Sequence, residues 1–272
     1  MRPSALASAA AGVMATTAEP GRFPVLGVGV HATDPARALE VIAGWIASRE
    51  KRYVCLAAVH GIMECQRDPA LKAIYNAAGL CLPDGMPLVW VGRRQRRQVA
   101  RVYGPDLTLA LCERSAADDR SVYFHGGRDG VAETLAAEMV RRFPGLRVAG
   151  SGAPPFRAPT AEEEAETVAR INGCRPDVVF VGLGCPKQER WMAAFRDRLD
   201  APVLLGVGAA FDFHTGGLAQ APPALQAAGL EWLFRLAHEP RRLWFRYLVY
   251  NPLFVALVAL QALGWRRFRE MP

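Results

Sequence analysis

The most constraining stretch of the chain runs from Asp177 to Glu189 and reads DVVFVGLGCPKQE. Its apolar run, Val178 to Val181, has no polar alternation, which is typical of a strand buried on both faces of a parallel sheet. Glycines follow where the chain must turn, and helical spacing continues from about Lys187 to Leu199. A strand, a glycine turn and a helix start collect free backbone N–H groups and a positive dipole end in one place. The stretch therefore predicts an anion site, although any α/β protein contains such a turn, and neither the dinucleotide fingerprint nor the P-loop pattern is present.

From residue 23 onward the sequence alternates strand-like and helix-like segments. Predicted strands cover residues 25–30, 53–59, 80–82, 121–124, 147–150, 178–181 and 203–207, and predicted helices cover residues 35–47, 62–78, 131–143, 187–199 and 222–236. Asp34 and Pro35 supply a cap and a first-turn proline for one helix. Thr160 and Glu163 form a capping box for another. The alternation predicts a Rossmann-like α/β fold, a parallel sheet with helices on both faces.

Glycines and polar side chains also follow three other predicted strands. These segments are Pro83 to Gly85, His125 to Gly130, and Gly206 to Gly217. Because ligands gather at the carboxyl ends of parallel strands, we expect the segments to meet at one edge of the sheet. His125 is either a base or a residue that orients a ligand or caps a strand. Asp212 and His214 are either catalytic or hold their loop in shape.

The formal net charge is +7, and most of the positive charge is Arg, since Lys occurs only at positions 51, 72 and 187. A basic surface indicates an anionic partner, which is a nucleic acid, a nucleotide or a membrane. The run Arg93 to Arg97 is typical of a solvated surface, and no aromatic residues interleave it for stacking on bases. We therefore expect no nucleic-acid partner. Arg101 differs because it precedes a Gly-Pro turn and a helix beginning near Asp106, where its side chain can be aimed at a neighbouring site.

The six cysteines are scattered along the chain and include no Cys-x-x-Cys pair. Several fall inside apolar runs, so the pattern favours reduced core residues of a cytosolic protein over a zinc site or a disulfide framework.

The C-terminal segment predicts a helical appendage. Residues 253–265 are mainly apolar, but this stretch is shorter than the roughly 20 residues that span a bilayer. Arginines flank it on both sides, which suits a helix lying in a membrane interface. Packing on the core or on a dimer partner is the alternative. The predicted organisation is a mobile tail over residues 1–22, an α/β core over 23–220 and the appendage over 221–272.

Four ordered motifs resemble one known family. They are LPDGMPLV from Leu82, VGLGCPKQERW from Val181, GVGAAFDFHTG from Gly206 and GLEWLFRLAHEPRRL from Gly229. Together they resemble the WecG/TagA/CpsF glycosyltransferases, which extend lipid-linked saccharides in bacterial envelope and exopolysaccharide synthesis. The likeness spans about residues 23–264.

The resemblance implies an inverting transfer from a UDP-sugar to a saccharide on an undecaprenyl pyrophosphate carrier, without a metal ion or other cofactor. It implies that Asp84 is the general base and that Arg235 and Arg242 reach the diphosphate, with Arg246 a less certain equivalent. From the cysteines and the C-terminal segment, we expect a cytoplasmic enzyme that is peripheral on the inner face of the cytoplasmic membrane; a homo-oligomer stays possible. The candidate substrate-binding residues, from the turns and the resemblance together, are His60, Arg101, Gly104, Asp106, Gly126, Gly127, Gly182, Gly184, Pro186, Lys187, Gln188, Glu189, Gly208, Asp212 and Arg246.

One departure from the family pattern concerns the end of the second predicted strand. The family often carries Thr there, and in many members Asn two residues later, where this chain has Ala57 and Val59. Any role of that Thr is therefore lost or passed to His60, which leaves the donor sugar open. Two other classes also stay open at this point: a nicotinamide-dependent oxidoreductase, and a non-catalytic nucleotide-binding or scaffolding subunit.

Overall fold

The computed structural model describes residues 19–155 and 157–269. Its strands are β1 Arg22–Val25, β2 Val28–His31, β3 Arg52–Ala57, β4 Leu80–Pro83, β5 Ser121–Gly126, β6 Arg147–Gly152, β7 Val178–Gly182 and β8 Val203–Gly206. Its helices are α1 Pro35–Ser48, α2 Val59–Arg67, α3 Pro69–Ala77, α4 Met86–Arg94, α5 Gly104–Ala117, α6 Val131–Arg142, α7 Ala161–Cys174, α8 Lys187–Phe195, α9 Ala210–His214, α10 Pro223–Ala227, α11 Glu231–His238, α12 Pro240–Leu248 and α13 Tyr250–Ala262. Residues 1–18 of the predicted tail, which covers residues 1–22, lie outside the described residues.

Six strands form one parallel sheet in the order β4-β3-β8-β7-β5-β6, which confirms the predicted α/β class. The central strands are apolar and buried on both faces, as the unbroken run Val178 to Val181 predicts. One face packs against a cluster with side chains from α2, α3, α8 and α13, and the other against side chains from α1, α5 and α6. The pairing places Gly182 beside Gly126, and Gly206 beside Val181 and Cys55. The glycine turns therefore leave the sheet along one edge.

Helix caps follow the local signals in the sequence. The side chain of Asp34 accepts a hydrogen bond from the Arg37 N–H at the start of α1, and Thr160 forms a complete capping box with Glu163 at the start of α7. Both predicted helix starts are confirmed. These caps satisfy N–H groups that lack partners within the helix.

Two predicted elements are divided in the structure. The strand expected over residues 25–30 is an antiparallel hairpin, β1 and β2, which turns at Leu26 and Gly27, both with positive φ. Gly27 permits that left-handed conformation at no steric cost. The helix expected over residues 62–78 is split into α2 and α3 at Asp68, because Pro69 has no N–H to continue α2 and the Asp68 carboxylate caps α3.

The C-terminal appendage also differs from its prediction. The helix expected over residues 222–236 is broken into α10 and α11 around Gly229, whose φ is +71°. Helices α12 and α13 follow each other with only a turn at Val249. The resulting stretch, Pro240–Ala262, has 23 residues and is long and apolar enough to cross a membrane by length and composition alone. The helical stretch is thus longer than the 13 apolar residues on which the prediction was based, because it begins before Leu253 and includes α12.

Helix α13 is anchored to the core on one side. Tyr250, Phe254 and Leu257 are buried in the cluster that covers one face of the sheet. The Tyr250 hydroxyl donates to Glu64 at 2.8 Å and accepts from Arg67 at 3.0 Å, both on α2. The C-terminal helices also expose large apolar side chains: Leu233, Trp244, Phe245, Leu248, Leu253 and Val255. The appendage therefore packs on the core and still presents an apolar face to solvent.

Candidate active site

A cleft of about 740 Å³ opens at the carboxyl edge of the sheet. Asp84 lies in it directly after β4, and Gly184 and Gln188 lie in it after β7. Turns far apart in the sequence therefore converge on one cleft, as the strand pattern predicts. The sequence-predicted residues that line it are Asp84, Gly104, His125, Gly127, Gly182, Gly184, Lys187, Gln188, Gly208, Asp212, Arg235, Arg242 and Arg246.

Asp84 is held by hydrogen bonds to its side chain and to its main-chain carbonyl oxygen. Its Oδ1 accepts a hydrogen bond from the Gly104 N–H at 3.1 Å, and its carbonyl oxygen accepts one from Arg101 Nε at 2.5 Å. Burial raises the pKa of the carboxyl from 3.8 to about 6, against the opposing charge of Arg101, and the nearby Glu231 acts in the upward direction too. The side chain is therefore a fixed carboxylate whose pKa lies close to neutrality.

Arg101 connects the Asp84 loop to the C-terminal appendage. Its guanidinium pairs with Glu231, at the start of α11, with an N–O distance of 2.6 Å. It also stacks over the Tyr103 ring at 4.1 Å from the centroid. Both partners of the ion pair are largely buried, since their side chains are 17% and 16% exposed. This pair fixes α11 against the loop that carries Asp84.

The glycine turns allow the backbone of neighbouring connections to approach closely. A β-carbon on Gly126, whose φ is +129°, would lie 2.6 Å from the backbone of Gly182. The Gly127 N–H donates to the Gly182 carbonyl at 2.9 Å. Around Gly184, by contrast, a β-carbon would meet no atom within 4 Å, so the turn before α8 faces open space. The start of α8 is thus accessible to an anion.

Gln188 and Glu189 form a buried polar pair at the start of α8. Gln188 Nε2 donates to Glu189 Oε1 at 3.0 Å, whereas Gln188 Oε1 is buried without a hydrogen-bond partner among the described residues. Burial raises the pKa of Glu189. Gln188 lines the cleft and Glu189 lies behind its wall. An unpaired buried acceptor is costly, so Gln188 Oε1 is suited to a donor on a ligand.

Three arginines of the appendage reach the same cleft. Arg235 comes from α11, and Arg242 and Arg246 come from α12. Glu239 lies 2.6 Å from Arg242 and 3.8 Å from Arg235, whereas the buried Nε of Arg246 has no hydrogen-bond partner among the described residues. Guanidinium groups donate in a planar fork that matches phosphate oxygens. The C-terminal helices thus add positive charge opposite the glycine turns.

Comparison with known proteins agrees with this arrangement. Residues 23–268 match the model of the glycosyl transferase WecG/TagA/CpsF family. The chain belongs to the WecG/TagA/CpsF glycosyltransferases. An N-acetylglucosaminyldiphosphoundecaprenol N-acetyl-beta-D-mannosaminyltransferase from Bacillus spizizenii is 30% identical to it over 186 residues, which are 68% of this chain and 70% of that protein. Membership of this glycosyltransferase family argues against the alternative that the protein is a nicotinamide-dependent oxidoreductase.

Two predicted binding residues of the glycosyltransferase line a smaller cavity beside the main cleft. This cavity has a volume of about 120 Å³, contains His60 and Arg101, and shares Asp84, Arg235 and Arg246 with the cleft. Burial lowers the pKa of His60 to about 4, with Arg246 acting in the same direction, so the ring is neutral at pH 7.

Four predicted binding residues do not line the cleft of the glycosyltransferase. Asp106 is exposed on α5, Glu189 is buried behind the wall, and Gly126 and Pro186 lie within the turns that shape it. Their predicted contact with substrate stays a prediction. His214 faces the carbonyl oxygen of Pro105 at 3.1 Å, as a residue that holds its loop would.

Sequence reasoning missed Glu231 and Trp191, which both line the cleft. Glu231 lies inside the fourth motif, but its partner Arg101 is 130 residues away, so no local pattern joins them. Trp191 stacks on His125 with ring centroids 4.5 Å apart. His125 is fully buried, and burial lowers its pKa to about 3, with Arg170 adding to that effect. His125 is therefore neutral at pH 7.

Proposed function

We propose that the enzyme transfers a sugar from a UDP-sugar to a saccharide on undecaprenyl diphosphate, with inversion, in envelope or exopolysaccharide synthesis. The observation that carries the proposal is the carboxylate of Asp84 in one cleft with Gly184, Gln188 and the appendage arginines. The activity named for the Bacillus spizizenii relative supports an N-acetylmannosaminyl donor and a diphosphoundecaprenol acceptor. Which sugar this chain moves is decided by assay.

The proposed reaction uses Asp84 as the general base. Its carboxylate takes the proton of the acceptor hydroxyl while the acceptor oxygen bonds to the anomeric carbon and the bond from that carbon to UDP breaks. With a pKa of about 6, Asp84 is ionised at pH 7 and can accept a proton. A pKa close to the pH of the reaction is favourable for a general base. Negative charge develops on the leaving UDP.

We assign the stabilisation of that negative charge to the arginines of the appendage and to the glycine turns. Arg235, Arg242 and Arg246 supply charge-assisted donors for the diphosphate. The positive dipole end at the start of α8 and the charge of Lys187 add to this stabilisation. Gln188 Oε1 accepts a hydrogen bond from a donor group of the sugar or of the nucleotide. No step of this scheme requires a metal ion.

The appendage, residues 221–272, is proposed to hold the core, residues 23–220, on the cytoplasmic face of the membrane. Support comes from its exposed apolar side chains, among which Leu248 is 57% and Val255 is 65% exposed. Exposed Arg266 and Arg267 follow α13 and attract anionic lipid. An apolar face with basic residues at its margin is typical of a helix in the membrane interface.

The membrane proposal is tested by vesicle sedimentation. Deleting residues from about 248 onward should release the protein from anionic vesicles. Because this deletion also removes buried side chains of α13, the double variant Leu248→Glu, Val255→Glu, which changes only exposed positions, is the informative second variant. Unchanged co-sedimentation of a folded double variant would show that this face does not bind lipid.

The transfer itself is tested by UDP release. Purified protein is incubated with a panel of UDP-sugars and a diphosphate-linked acceptor, and UDP is measured with and without the acceptor. Acceptor-dependent release with one donor is expected. Stabilisation by UDP against thermal unfolding, without release under any combination, would instead favour the non-catalytic nucleotide-binding subunit.

A further inference from the structure

The arginine run after Asp84 forms no ion pair among the described residues, although Arg93 Nε donates to the carbonyl oxygen of Val99 at 3.3 Å. Arg93, Arg94, Arg96 and Arg97 are all exposed, and none of them forms an ion pair within the described part of the chain. Exposed Arg141 pairs with Glu138 at 2.5 Å, whereas exposed Arg142 forms no ion pair among the described residues. Four like charges within five residues repel one another unless an anionic partner neutralises them. This concentration of positive charge favours an anionic partner outside the chain.

The segment from Trp90 to Gln95, which contains the start of the run, lies near the C-terminal appendage at both of its ends. At the start, Trp90 packs on the turn between α10 and α11, since a β-carbon on Gly229 would lie 2.9 Å from its indole ring. At the end, Gln95 Nε2 donates to the carbonyl oxygen of Pro24 at 3.0 Å. Gln261, in the last turn of α13, donates to the same carbonyl oxygen at 3.0 Å. Helix α4 thus contacts the appendage at Trp90, and its C-cap shares the Pro24 carbonyl oxygen with α13.

The exposed side of α4 has the composition of a membrane interface. Trp90 is 50% exposed although it packs on Gly229, and Leu233 on the neighbouring α11 is also 50% exposed. Arg93 and Arg94 follow Trp90 by three and four residues, so they lie on the same side of the helix. Amphipathic indole rings sit at the level of lipid headgroups, and basic side chains reach the phosphates from there.

We propose that Trp90 and the arginines of residues 93–97 form a second contact with an anionic lipid bilayer, in addition to the appendage. The inference rests on the proposed function, because it assumes a membrane-bound enzyme. Helix α4 begins at Met86, two residues after Asp84, so lipid contact along α4 fixes the Asp84 loop relative to the bilayer. A lipid-linked acceptor hydroxyl then approaches the base at a defined height.

The test compares two charge-matched variants in vesicle flotation. Arg94→Gln with Arg97→Gln removes two charges from the run, and Arg141→Gln with Arg142→Gln removes two exposed charges from α6, on another part of the surface. Vesicles contain phosphatidylcholine with or without phosphatidylglycerol. The first variant should lose about 30-fold in partitioning onto anionic vesicles, because each basic residue near such a surface contributes about 1 kcal/mol. The second variant should bind like the wild type.

Salt and thermal unfolding complete the design. High salt should weaken vesicle binding by the wild type more than by the Arg94, Arg97 variant. Salt screens the attraction between these two arginines and anionic lipid, and the variant has already lost that attraction. Stabilisation by UDP should be equal in all three proteins, which shows an intact nucleotide cleft.

Three results decide between the claims. If both variants bind anionic vesicles equally well, the second contact is overturned while the appendage proposal stands. If the wild type does not bind anionic vesicles at all, the membrane part of the proposed function fails as well. If the Arg94, Arg97 variant instead loses binding to a single-stranded oligonucleotide with unchanged vesicle binding, the run serves nucleic acid and the inference is wrong.

Discussion

Replacing Asp84 by Asn should make the protein more stable while it removes the proposed base. The pKa of this carboxyl is raised from 3.8 to about 6 in the folded protein, chiefly by burial. A raised pKa means that the native state binds the proton more tightly than the unfolded state does. The contribution of the protonated form to stability is therefore complete below about pH 4 and is lost as the pH rises through 6. Asn resembles the protonated form at every pH.

The size of the effect follows from the two pKa values. The difference corresponds to about 3 kcal/mol, at 1.36 kcal/mol per pKa unit. Because Asp84 is only half-buried and faces an open cleft, solvent reduces this to about 2 kcal/mol. Asn retains an oxygen that accepts from the Gly104 N–H. For a chain of this size the gain is about 4 to 8 °C in Tm at pH 8.

The assay is urea unfolding of both proteins at pH 5 and pH 8. The variant should exceed the wild type at both values, and the gap at pH 8 should be about twice the gap at pH 5. Asp119→Asn is the matched control, because this carboxylate is 83% exposed and its pair with Arg147 lies on the surface, so its effect should stay within about 0.5 kcal/mol. An Asp84→Asn protein that is less stable than the wild type, or a gap that does not grow with pH, would refute the electrostatic reasoning.

Three further predictions concern activity. The pH profile of kcat/KM should fall about tenfold per pH unit below pH 6, as Asp84 takes up a proton; a profile flat to pH 5 contradicts this. Glu231→Gln should lower the pKa of Asp84, because the negative charge of Glu231 raises that pKa and the opposing charge of Arg101 remains. The acidic limb of the pH profile should therefore move to lower pH. Arg235→Gln should lower kcat by about 10²- to 10³-fold, as for loss of one donor to a developing charge, whereas Arg141→Gln should leave kcat unchanged in the same UDP-release assay.

The sheet and its functional edge were predictable from the sequence because they rest on local patterns. The run Val178 to Val181 has no polar alternation, and the turns at Gly126 and Gly184 punctuate strand ends. Parallel strands that are followed by helices must bring such turns to one edge. The convergence of Asp84 and Gln188 on one cleft follows from that rule alone.

The contacts between the appendage and the core were not predictable in this way. Gln261 reaches Pro24 across 237 positions, and Arg101 reaches Glu231 across 130. No periodicity encodes such pairs; they depend on the path of the chain after β8. Arg235 and Arg242 entered only through the family resemblance. The hairpin was missed because a single apolar segment, residues 25–30, contains a turn at Leu26, a residue that rarely adopts positive φ.

The most direct test of the central claim is turnover by the Asp84→Asn protein with a UDP-sugar and a lipid-linked acceptor. UDP affinity, measured by calorimetry, should stay close to that of the wild type, because the carboxylate is assigned to the acceptor and not to the nucleotide. Acceptor-dependent UDP release should be lost. Substantial turnover by a variant that binds UDP normally would contradict the assignment of Asp84 as the base and, with it, the proposed mechanism.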